Sequence, residues 1–165
     1  MRSSSSLLVL LSALLAAPFV TPDAAAAEHR FGADVAGDWS SNVRNGIQVW
    51  GGAAGLTYGL QGAHHGLQVD LGDRFGHAND TWKHLPGLTL SWCVLYGDDD
   101  DRRPYSTLGV QAAYTDLLPV MPVVNASGGL EWSSPSRFLR AGLQAFFVPA
   151  PALGGGPELT AGVRF

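Results

Sequence analysis

Residues 157–165 read PELTAGVRF, and this stretch decides the fold class. Its apolar side chains stand at every second position, at Leu159, Ala161, Val163 and Phe165. Successive side chains of a β-strand point to opposite faces of a sheet, so this spacing predicts a strand with one apolar face. The same alternation recurs at residues 88–96 and 139–147.

Eight segments of this kind can be placed along the chain, separated by turns rich in Gly, Pro, Asn, Asp and Ser. They are residues 31–40, 47–61, 66–75, 87–97, 105–115, 123–133, 137–148 and 157–165. Most reach the length of about nine to eleven residues that a tilted strand needs to cross a bilayer. The connections are short, which is typical of an up-and-down meander. The sequence therefore predicts an all-β fold, an eight-stranded antiparallel up-and-down transmembrane β-barrel.

The amino-terminal segment has the pattern of an export signal. A basic start at Arg2 precedes an apolar run from Leu7 to Ala17, which is too short for a membrane-spanning helix of about 20 residues. Ala25 and Ala27 then form an A-x-A cleavage pattern. We expect residues 1–27 to be a cleaved signal peptide and residues 28–165 to be a barrel domain, exported to the outer membrane of a Gram-negative bacterium.

The composition separates this chain from most soluble domains. Charged residues make up 15% of it, against about 25% in soluble domains, and 21 of 165 residues are glycine. A net charge of −4 gives no polybasic surface, so nucleic acid is not expected as a partner. No cofactor is predicted. Cys93 is the single cysteine, so no internal disulfide is expected.

Large aromatic residues fall near the ends of the predicted strands. If both termini lie on the inner side of the membrane, two girdles result, as expected for rings that prefer the membrane–water interface. The outer girdle contains Trp39, Trp50, Phe75, Tyr114 and Phe147. The inner girdle contains Phe31, Tyr58, Tyr96, Trp132 and Phe165. Trp92, in the middle of its predicted strand, fits neither girdle.

The last strand carries the most specific pattern. An aromatic final residue, Phe165, follows alternating apolar positions with Gly162 among them. This resembles the carboxy-terminal assembly signal of bacterial outer-membrane barrels, with Val163 where those proteins usually have a second aromatic residue. The whole plan is similar to small eight-stranded barrels of the OmpA and OmpX type. The resemblance implies outer-membrane lipid and the barrel-assembly machinery as partners, the latter through the last strand; a partner outside the cell is unknown.

The faces opposite the apolar ones carry polar side chains of both signs. A predicted lumen network contains Asp34, Asp38, Asp70, Arg74, Glu131, Arg140, Gln144 and Arg164, with Gln68, Gln111, Asn125 and Thr160 beside them. Glu131 and Arg140 flank the turn at residues 133–136 and should face each other across a hairpin. Eight strands leave an interior just wide enough for side chains, so we expect a filled polar core and not a pore.

Two sets of residues suggest chemistry. Residues 76–86 are predicted as the longest outer loop, and they contain weak metal-ligand candidates, His77, Asp80 and His84. An ordinary polar loop is the competing interpretation. Ser127 faces inward, but no histidine stands beside it on a predicted strand to activate it as a nucleophile.

Three functional hypotheses follow from the sequence. The first is an integral outer-membrane protein with a filled lumen and a structural or surface-interaction role through its outer loops. The second is an outer-membrane enzyme that modifies lipid. The third is a secreted soluble β-barrel that binds a small ligand.

Overall fold

A computed structural model describes residues 27–42, 46–78, 80–99, 101–114, 120–149 and 152–165. The chain forms eight β-strands, joined in sequence order into one closed antiparallel barrel. The strands are β1 (Glu28–Asn42), β2 (Gln48–Gln61), β3 (His65–Ala78), β4 (Thr81–Leu95), β5 (Arg102–Ala113), β6 (Met121–Ser134), β7 (Arg137–Val148) and β8 (Ala152–Arg164). In the described part of the chain, no helix is long and apolar enough to cross a membrane.

Closure between the first and last strands places residue 28 and the carboxy terminus at one end of the barrel, which we call the inner end. The amide and carbonyl groups of His29 exchange hydrogen bonds with those of Phe165, at 2.9 and 3.0 Å. The β2–β3, β4–β5 and β6–β7 turns share this end, and the other turns lie at the opposite, outer end. The predicted signal peptide lies almost wholly outside the described residues, which begin at residue 27.

All eight predicted strands are present, and the barrel confirms the predicted topology. Two predicted loops are wrong, because β4 already begins at Thr81 and β8 at Ala152. Their Gly and Pro residues indicated turns, but here they lie in paired strands, as Gly76 does opposite Lys83 and Pro86 opposite Asp73. Asp80, with φ of 60°, provides the left-handed conformation that the tight β3–β4 connection needs.

The two faces of the barrel differ in chemistry as the alternation predicts. Large apolar and aromatic side chains face outward and are exposed on every strand. Among them are Val35, Leu56, Leu71, Leu90, Leu108, Leu143 and Leu159. Because β4 ends at Leu95, Trp92 lies near the inner end and stacks on His65, with ring centroids 5.5 Å apart. Trp92 is therefore placed with the inner aromatic residues.

The seam between β1 and β8 is closely packed around glycines, and Gly156 is one of them. The ladder between these strands keeps one register but is interrupted opposite Pro157, which has no backbone N–H to donate. At the same place, a Cβ atom on Gly156 would overlap the backbone oxygen of Gly37, whereas a Cβ on Gly37 would meet only the Pro157 ring at 3.5 Å.

We therefore expect Gly156→Ala to destabilise the barrel by about 1–3 kcal/mol, the usual cost of overpacking, and Gly37→Ala to cost much less. Urea unfolding of both variants in detergent or lipid, followed by tryptophan fluorescence, measures the difference. Equal stability of the two variants would mean that the strands at this seam are not so closely packed.

Candidate functional site: the barrel interior

The inner part of the lumen is organised around one buried carboxylate, that of Glu131 on β6, whose residue is 1% exposed. Arg30 on β1 donates to both of its oxygens, at 2.9 and 2.8 Å. The Nε atom of Arg140 on β7 donates at 2.7 Å, and so does the Ser133 hydroxyl. Two guanidinium groups therefore share one carboxylate, and hydrogen bonds from three strands meet there.

A second carboxylate at the inner end offsets part of this excess of positive charge. Glu28 lies 3.2 Å from Arg30 and 3.3 Å from Arg164. The ring of Phe138 lies between the two buried cations, with its centroid 5.3 Å from the guanidinium carbon of Arg30 and 5.5 Å from that of Arg140. Such contacts stabilise desolvated cations, so aromatic packing and ion pairs together hold the inner layer.

A polar cavity of about 110 Å³ occupies the middle of the lumen. Asp34, Asp70 and Glu158 line it, and the Tyr105 hydroxyl donates to Glu158 at 2.6 Å. Arg140 connects the cavity to the inner layer by donating to Gln68 at 2.8 Å. Ligand pockets usually exceed about 300 Å³, whereas a water molecule takes about 30 Å³, so the cavity suits a few water molecules.

The outer part of the lumen is closed by an ion pair and an apolar cluster. Arg74 donates to Asp38, whose other oxygen accepts from Gln144 at 2.6 Å. The guanidinium carbon of Arg74 lies 4.0 Å from the centroid of the Phe146 ring. Beyond this ring, Ala113, Val123 and Val148 pack together as a buried apolar cluster.

The structure places all of the predicted lumen residues on the inward faces of their strands. Glu131 and Arg140 belong to one hydrogen-bonded group, and Asp38 joins Arg74 and Gln144 in another. Asp34 and Asp70 line the cavity, while Arg164 lies at the inner rim. Sequence reasoning missed several interior residues, among them Arg30, Arg103, Tyr105 and Glu158. Each stands an even number of residues from a recognised inward residue on its strand, so the alternation itself could have identified them.

The aromatic side chains that were assigned to girdles face outward near the strand ends. At the outer end, Trp39 is paired with Trp50, and their ring centroids are 6.2 Å apart. At the inner end, Phe31 is paired with Tyr58, and Phe165 stacks on His29 at 5.9 Å. The other outer members are Phe75, Tyr114 and Phe147, and the other inner members are Tyr96 and Trp132.

The metal-ligand candidates do not form a metal centre in the described part of the chain. His77 lies on β3 and His84 on β4, not in a loop, and Asp80 lies in the connection between them. His84 hydrogen bonds with Asp73 at 2.7 Å. No group of three His, Cys, Asp or Glu side chains within the described ranges could hold a metal ion.

Ser127 lies inside the barrel, and its hydroxyl hydrogen bonds with that of Thr107 at 2.7 Å. The histidines lie elsewhere: His29, His64 and His65 are at the inner end, and His77 and His84 are on the outer part of the β3–β4 hairpin. A serine nucleophile needs a base within hydrogen-bond reach. The described residues provide no such neighbour for Ser127.

A closed barrel of eight antiparallel strands, apolar outside and polar inside, defines the class of small outer-membrane-type β-barrels. Known structures share this architecture. The chain is similar to Neisserial surface protein A, with a TM-score of 0.61 and 18% identity over 82% of this chain and 95% of that one. It is also similar to Ail, the attachment invasion locus protein of Yersinia pestis, with a TM-score of 0.55 and 12% identity over 85% and 99% of the two chains.

A structure of Ail in complex with the heparin analogue sucrose octasulfate matches with a TM-score of 0.50 and 13% identity, over 85% of this chain and 99% of that one. No protein-family model and no curated protein matches the sequence. At these identities the structural likeness shows the fold, and it confirms the predicted resemblance to small outer-membrane barrels.

Proposed function

We propose that this chain is an integral protein of a bacterial outer membrane, with a structural or surface-interaction role and no conducting pore. The observation that carries the proposal is the outward surface, where large apolar side chains are exposed on all eight strands. A soluble monomer rarely exposes an apolar patch larger than a few hundred Å². In a bilayer the same surface contacts acyl chains, and the aromatic residues at both ends lie in the headgroup layers.

The filled interior supports a role that depends on the outer surface. The Glu131 cluster closes the inner part of the lumen, and the Phe146 cluster closes the outer part. We therefore expect the described part of the barrel to leave ions no open path along the axis. Contacts with a partner then involve the strand ends and connections of the outer end, as the sequence predicts.

Polyanion binding of the kind indicated for Ail has little support in this chain. Within the described part of the outer end, Lys83 is the one exposed residue with a permanent positive charge, because Arg74 is engaged with Asp38. We propose no specific partner at this end.

Fractionation tests the proposal directly. We expect the protein to sediment with outer membranes after expression in a Gram-negative host, to resist carbonate extraction, and to migrate faster on gels before heating than after it. A stable closed barrel resists unfolding by detergent, which explains the expected shift. A monomeric periplasmic protein that is soluble without detergent would contradict the proposal and favour the soluble-barrel alternative.

A further inference from the structure

The two rims of the barrel differ in the charges that face outward. At the inner rim, Arg102 and Arg137 face outward beside Trp132. At the outer rim, the outward carboxylate and imidazole side chains on the paired strands β3 and β4 are Asp73, His77 and His84. A permanent positive charge on the outward surface is therefore confined, in this part of the chain, to one sector of the inner rim.

Strand pairing brings the two inner-rim arginines together around the end of β6. Arg102 on β5 lies opposite Trp132, and Arg137 on β7 lies opposite Ser134. Trp132 and Ser134 are neighbours on the same face of β6 because they are two residues apart. The two guanidinium groups thus flank the Trp132 ring on one outward surface. The Ser134 hydroxyl beside them donates to the backbone carbonyl of Arg137 at 3.4 Å.

Neither guanidinium group is neutralised by a carboxylate in the described structure. Arg102 contacts the Trp132 ring, with its guanidinium carbon 5.9 Å from the ring centroid. Asp98, Asp99 and Asp101 lie in the adjacent turn, but none of these three forms an ion pair with either arginine. The next outward residues toward the middle of the barrel are apolar, at Leu130 and Leu139. The arginines therefore border the face that we assign to lipid.

We propose that Arg102, Arg137 and Trp132 form a binding site for the phosphate of an anionic phospholipid in the inner leaflet. Arginine is suited to this task because its planar guanidinium group donates two parallel hydrogen bonds to a phosphate. Tryptophan is favoured at the depth of the headgroups. The proposal rests on the membrane location proposed above, and it adds the lipid class and the leaflet.

Lipid retention in bilayer nanodiscs tests the site. The protein is inserted into nanodiscs of phosphatidylcholine and phosphatidylglycerol, and native mass spectrometry counts each lipid that stays bound. Because a basic residue near the surface contributes about fivefold to the binding of anionic lipid, we expect the Arg102→Gln/Arg137→Gln variant to lose most of the preference for phosphatidylglycerol. Lys83→Gln, which removes a positive charge at the outer end, is the control and should retain the preference.

The outcomes separate this site from the proposed function. Unchanged lipid preference in the double variant, or an equal loss in Lys83→Gln, overturns the site while the inserted barrel still supports the membrane location. Displacement of the lipid by inorganic phosphate at matched concentration overturns the assignment to phospholipid and indicates a site for free anions. Failure of the wild-type protein to insert, with no heat-modifiable form, contradicts the proposed function itself.

Discussion

Replacing Glu131 with alanine is expected to destabilise the barrel by about 3–5 kcal/mol, which is the usual cost of removing one partner from a buried ion pair. The substitution leaves Arg30 and Arg140 as buried cations without the carboxylate to which both donate. The Ser133 hydroxyl loses its acceptor as well. Urea unfolding in lipid vesicles, monitored by tryptophan fluorescence, gives the change in free energy of unfolding.

Glu28→Ala is the matched control, because Glu28 also contacts Arg30 but its side chain is 39% exposed. Exposed ion pairs contribute about 0–1 kcal/mol, so this variant should unfold close to the wild type. Combining Glu131→Ala with Arg140→Ala should cost less than the sum of the single effects, because the two side chains interact directly. Additive effects, or a mild effect of Glu131→Ala alone, would contradict a shared buried network.

The second large effect is expected for Leu143→Arg, a charged substitution in the middle of the outward face of β7. Leu143 is 69% exposed and lies opposite Gly128 and Pro157 on the neighbouring strands. An arginine at the midplane of a bilayer costs a membrane barrel about 2–4 kcal/mol. We expect a loss of this size when the protein is unfolded from phospholipid vesicles.

Leu153→Arg provides the control, because Leu153 is equally apolar and outward-facing but lies near the outer end of β8. The cost of arginine falls to about 0–1 kcal/mol near the interfaces, so this variant should be nearly neutral. If both substitutions were neutral, the outward face would be in contact with water. That result would favour the soluble-barrel alternative over a membrane protein.

Much of the fold could be predicted because the alternation of apolar residues specifies both the strands and their faces. The pairing of neighbouring strands could also be predicted. A short turn between Glu131 and Arg140 allows few registers, and these two residues are paired. The strand boundaries could be predicted less well from the sequence. Proline and glycine are typical of turns, but Pro86 and Gly154 both lie in strands, because the β3–β4 and β7–β8 hairpins continue past them.

Contacts across the lumen could not be predicted from the same pattern. Arg30 reaches Glu131 from β1 to β6, between strands that are not neighbours in the sheet. Alternation shows that a side chain points inward, but it does not show which side chains meet across a closed cylinder. That information depends on the tilt and stagger of the strands, which arise only when the barrel closes.

The bond between Arg30 and Glu131 also bears on how the barrel assembles. An intermediate in which β6 and β7 have paired but β1 has not docked holds Glu131 against Arg140 alone. Arrival of the first strand adds Arg30, whose Nη1 atom donates to both oxygens of Glu131. The final docking of β1 therefore gains free energy from an ion pair across the lumen as well as from the hydrogen bonds between β1 and its neighbouring strands. An ion pair between strands that are not neighbours makes folding of the closed barrel more cooperative than folding of a series of independent hairpins.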